Sequence, residues 1–67
     1  MIKTKAQKIA EIKSDILILQ TMGNHIENWA QSKTVLGYAT AARNFMMMEK
    51  FGKARTALRL GKSAARF

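Results

Sequence analysis

Sixty-seven residues with twelve Lys and Arg against four Asp and Glu, one His, no Cys and no Pro make a strongly basic chain, long enough for one domain. Such a chain buries only a modest share of its surface, and two common reinforcements are closed to it: a disulfide needs Cys, and a structural zinc needs about four Cys or His ligands. Four acids and one His also fail to assemble a paired carboxylate, a Ser/His/Asp set or a metal cluster, so a non-catalytic protein without cofactor is expected.

Ala, Lys, Arg, Leu, Ile and Met dominate, and no stretch alternates strictly between apolar and polar residues. An all-α fold follows. Its expected form is two long helices plus a short basic C-terminal helix, as a helical hairpin or three-helix bundle in a single domain over residues 1–67. The first helix is predicted over about 4–31, starting at Thr4 or Lys5. Along it Ile9, Ile12, Ile16, Leu19, Gly23, Ile26 and Ala30 recur at spacings of three and four. This is the heptad seam of a helix that packs lengthwise on another. The chain is expected to assemble through this seam as a homo-oligomer, most simply a dimer, although the seam by itself does not distinguish an interchain coiled coil from an intrachain three-helix bundle.

Gly23-Asn24 divides that segment. Glycine favours the position just past a helix end, and Asn24 with Glu27 three residues later resembles a capping box. One helix kinked at Gly23 is the expectation, because the seam runs through in register; a true break is the alternative. Ser32-Lys33-Thr34 then forms the predicted connection, with Ser32 or Thr34 as cap. The second helix is predicted over about 34–51, with Tyr38, Ala41, Ala42, Phe45 and Met48 on one face and Gly52 as its stop. Beyond it Met47, Phe51, Ala54, Leu58, Gly61 and Ala65 form a stripe on the opposite side, so a bend at Gly52 and a third helix over 53–66 are expected.

Charge is the sharpest feature. Lys50, Lys53, Arg55, Arg59, Lys62 and Arg66 are the charged residues of positions 50–67, and no acid stands among them. Arg55, Arg59, Lys62 and Arg66 step by four, three and four, which puts them in one arc of a helix. An ordinary solvated face mixes signs; a one-sign row suits phosphates or carboxylates, and Arg binds either bidentately. Base reading has little support, since a helix-turn-helix placed on Ala57 and Gly61 would run its recognition helix past Phe67.

Other residues are ambiguous. Met46-Met47-Met48 covers most of a helix circumference, so core filling competes with a soft docking groove, and Met46 is expected to point outward. Trp29 and Tyr38 flank the predicted 32–34 turn as an interface hot spot or as the closure of one bundle end. His25 stands alone, a surface histidine.

The leading expectation is a small basic binding protein of the accessory or regulatory kind that phages and plasmids encode, contacting nucleic-acid phosphates through Arg55, Arg59, Lys62 and Arg66, with Lys53 and Lys50 beside them. The alternative is an interaction subunit or host-factor inhibitor that docks on an acidic protein surface. A membrane-active helical peptide ranks third, because the mean hydropathy is −0.16 and the first 49 residues hold all four acids. The longest apolar runs, Ile16–Leu19 and Phe45–Met48, are four residues, far short of the roughly 20 that span a bilayer. No apolar stretch follows the basic N-terminus as in a signal peptide, so a cytoplasmic setting is expected.

Overall fold

The computed structural model describes residues 2–66, and the two terminal residues of the expected 1–67 domain lie outside it. It forms a three-helix bundle: α1 (Lys5–Asn24), α2 (Trp29–Met47) and α3 (Phe51–Ala64), with no strand among the described residues. Short turns make α2 antiparallel to both neighbours, in a body of 40 × 17 × 15 Å.

α1 begins at a capping box. Thr4 Oγ1 accepts from Gln7 N at 3.2 Å while Gln7 Oε1 accepts from Thr4 N at 2.9 Å, so two otherwise orphaned donors are satisfied. The helix then ends at Asn24, which corrects the expectation of one kinked helix over 4–31: the break is complete. Asn28 is the true cap of α2, its Oδ1 accepting from Gln31 N at 2.9 Å. Ser32 and Thr34, expected as caps, lie inside α2 and serve other carbonyls. Ser32 Oγ donates back to Gly23 O at 2.7 Å, capping a carbonyl in the last turn of α1, and Thr34 Oγ1 donates to Ala30 O at 2.9 Å in its own helix.

The second turn also falls elsewhere than expected. α2 closes before Gly52, with Lys50 N donating to Phe45 O and Glu49 N to Met46 O. These are the two bonds of a Schellman motif, and its left-handed residue is Glu49 (φ 61°) instead of a glycine. Gly52 sits within the first turn of α3, with no left-handed φ.

Ile12, Ile16 and Leu19 of α1, Val35, Ala39, Ala42 and Met46 of α2, and Ala54, Ala57 and Leu58 of α3 form the core. Ile9 and Ile26 pack half-buried against it. The heptad seam is therefore filled by the chain's own α2 and α3, and Ile26 has left the helix for the turn. Alanines at most α2 and α3 core positions bring these helices close, and Ile12, Leu19 and Val35 are the largest fully buried side chains. Met46, expected outward, is 8% exposed, whereas Met47 and Met48 face solvent at 69% and 54%. A core at about 100° per residue accepts one residue of such a run, and Ala39, Ala42 and Met46 share that face.

Candidate nucleic-acid interface

α1 and α3 run parallel, and between them opens a groove of about 390 Å³ lined by Asp15 of α1, by Arg55, Leu58, Arg59, Lys62 and Ser63 of α3, and by Arg66 in the turn just past its end. The four predicted cations thus share one groove. The cause is local: Ala54, Ala57, Leu58 and Gly61 are the buried face of α3, and the basic residues at 55, 59, 62 and 66 fall just beside it on the α1 side. Leu58 floors the groove. Arg55 to Lys62 spans about 10 Å of the α3 axis, close to three base-pair steps at roughly 3.4 Å along a strand, and Arg66 follows in the turn beyond.

Acids of α1 modulate the row. Glu11 Oε2 lies 3.4 Å from Arg55 Nη2, and Lys3 Nζ is 2.9 Å from both carboxylate oxygens. The hydrogen bond from Lys3 holds the Glu11 carboxyl below its ordinary pKa; slight desolvation works against this, and the nearby charges of Lys3 and Arg55 add to it. Arg59, Lys62 and Arg66 have no ion-pair partner among the described residues. Asp15 on the opposite wall puts one negative charge among them without closing to a salt bridge.

The remaining predicted residues are dispersed. Lys53 turns to the α2 side, with Nζ 5.9 Å from the Phe45 ring centroid, over a groove shared with Tyr38 and Leu60. Lys50 occupies the exposed turn before α3. Trp29 is 74% exposed at the start of α2, and Tyr38 is half-buried toward α3; nine residues apart on one helix, they face different sides and form no joint hot spot. Lys8, which with Lys13 and Asp15 reads from the sequence as part of a solvated face of mixed charge, extends the basic surface beside Lys3, Phe51 and Arg55. The spacing of four between Glu11 and Asp15 puts both acids on one face of α1, and no sequence pattern turns that face toward Arg55. His25 is exposed, and no group of three or more His, Cys, Asp or Glu among the described residues is placed to hold a metal ion. None of the described helices is long and apolar enough to cross a membrane.

No protein-family model matches the chain, and the searches of curated proteins and of solved structures found no match to it. What the groove does must follow from its own chemistry.

Proposed function

We propose that the α1–α3 groove binds the phosphate backbone of nucleic acid, and that the chain is a non-catalytic accessory protein of the phage or plasmid kind acting on nucleic acid inside the cell. The observation that carries this reading is the groove itself: Arg55, Arg59, Lys62 and Arg66 line it together, and Arg55 is the one engaged by an acid among the described residues. Unpaired guanidinium groups spaced along a helix match phosphates in charge and geometry. Little in the groove reads bases, so affinity should vary weakly with sequence and strongly with salt. The heptad seam is occupied within the chain, so a second copy is not needed to form the groove.

The test is fluorescence anisotropy of a labelled mixed-sequence DNA duplex titrated with the protein. Replacing Arg59 and Lys62 by Glu should abolish binding while circular dichroism shows unchanged helicity, because Arg59 is exposed and Lys62 half-exposed. Unchanged affinity in that variant would sink the proposal. If the wild-type chain ignores the duplex, the same row belongs to an acidic protein surface, the second class of partner that one-sign charge fits.

A further inference from the structure

A second surface lies on the side of α2 away from α3. Stepping along α2 at about 100° per residue, Trp29, Lys33, Leu36, Thr40, Arg43 and Met47 fall within one arc. Lys13, Leu17 and Gln20 of α1 border the same side: with Arg43 and Met46 they line a shallow groove of about 260 Å³. Several of its apolar side chains have no cover. Trp29 is 74% exposed, Met47 69% and Leu17 64%. Cations interleave with them, and Lys33 Nζ sits 4.9 Å from the Trp29 ring centroid. No acid stands among these face residues, and two of the four acids flank the ends of the face, Glu27 two positions before Trp29 and Glu49 two after Met47. Glu11 and Asp15 occupy the opposite side of α1, Glu49 is paired with Lys5 in the far turn, and Glu27 stands in the turn before Trp29.

We propose that this α1–α2 face is a docking surface for an anionic lipid bilayer. Exposed apolar groups mixed with Lys and Arg are what an interfacial helix presents: the apolar groups enter the headgroup boundary while the cations meet lipid phosphates. The exposed Trp, with a cation against its ring, suits that boundary as well. Two other occupants fit less well. A second copy of the chain would set two faces that both carry Lys13, Lys33 and Arg43 and no interleaved acid across from each other, without charge complementarity. A helix from another protein needs anchors that converge on a groove, whereas Trp29 and Met47 stand about 27 Å apart along α2 and project outward. A broad planar surface covers such a spread. The face is distinct from the α1–α3 groove, so lipid and nucleic-acid binding stand or fall separately.

Trp29 is the single tryptophan of the chain, so its emission reports on this face. The experiment titrates the full chain with vesicles of phosphatidylglycerol mixed into phosphatidylcholine, with vesicles of phosphatidylcholine alone, and with duplex DNA. The expected result is a blue shift and quenching by bromine-labelled acyl chains with the anionic vesicles, and no blue shift with the other two. Leu17→Ser should weaken vesicle binding about tenfold through loss of its apolar transfer, whereas Ile18→Ser should leave it unchanged. These adjacent exposed residues point about 100° apart, so the pair separates a defined face from general greasiness. No shift with anionic vesicles, an equal shift with duplex, or equal losses in the two variants would overturn the proposal.

Discussion

Gly61 and Leu19 meet at the tightest point of the bundle. A Cβ on Gly61 would lie 2.5 Å from Leu19 Cδ2 and 3.0 Å from Tyr38 Cβ, so α1, α2 and α3 converge where only hydrogen fits. Leu19 is fully buried and Tyr38 Cβ is fixed to the α2 backbone, so neither can retreat cheaply. Gly23 is a milder version: its Cβ would lie 2.7 Å from Leu36 Cδ2, the far end of a half-buried side chain.

This contrast makes glycine-to-alanine substitutions change sign along the chain. Gly61→Ala should destabilise by about 1–2 kcal/mol, because overpacking outweighs the gain in helix propensity. Gly37→Ala should stabilise by about 0.5–1 kcal/mol, since nothing lies within 4 Å of its Cβ. Urea denaturation midpoints measure both. A neutral Gly61→Ala would mean that the helices do not meet as closely as described.

Glu49 offers a second stability test. Its φ of 61° lies in the left-handed region, which costs a side-chain-bearing residue roughly 1–2 kcal/mol. Glycine there removes that cost but also removes the exposed pair with Lys5, worth about 0.5 kcal/mol. Glu49→Gly should therefore raise stability by about 0.5–1.5 kcal/mol, measured as a higher denaturation midpoint. Asn, which tolerates this region better than Glu, should fall between the two.

Periodicity and charge made much of this structure legible from residues alone. The all-α class follows from composition and the lack of alternation, and the core roles of Ile12, Ile16 and Leu19 and the shared arc of Arg55, Arg59, Lys62 and Arg66 follow from spacings of three and four. Turns were misread where a residue had two available uses. Gly23 both marks the end of α1 and admits the close approach of α2, and the in-register seam masked the first of these uses; Ser32 looks like a cap yet bonds backward to Gly23 O. Asn28 followed by Gln31 carried a cap signal in the sequence that the in-register seam outweighed. Nothing local marked Glu49, because its left-handed turn is favoured by the packing of α3 on α2 and by no propensity of its own. The acids facing the groove were equally hidden, since only the parallel placement of α1 and α3 brings Glu11 to Arg55.

Salt dependence is the finer check on the groove. Each phosphate neutralised should contribute roughly −0.9 to the slope of log affinity against log salt on duplex DNA. Arg59→Gln and Lys62→Gln, each removing one cation, should each flatten that slope by about 0.9 and weaken binding across all sequences. Lys53→Gln, on the α2 side over Phe45, should leave the slope close to that of the wild type. Equal flattening in all three variants would indicate diffuse attraction to net charge in place of a groove.

Glu11 links stability to affinity in opposite directions. Lys3 and Arg55 hold its carboxyl below its ordinary pKa in the folded chain. Its contribution to stability is therefore fully present above the unfolded-state pKa and is lost as pH falls through the depressed folded value. The same protonation releases Arg55 into the groove, while phosphodiesters remain charged. Glu11→Gln should accordingly bind the duplex more tightly than wild type at neutral pH, and the two should converge as the medium is acidified below the ordinary carboxylate range. Stability should behave in the reverse sense: the variant is less stable at neutral pH, and the difference shrinks in acid. Anisotropy and urea midpoints recorded side by side across that range test both halves. If Glu11→Gln left affinity unchanged at neutral pH, Arg55 would be no part of the binding row, and the contact would rest on Arg59, Lys62 and Arg66.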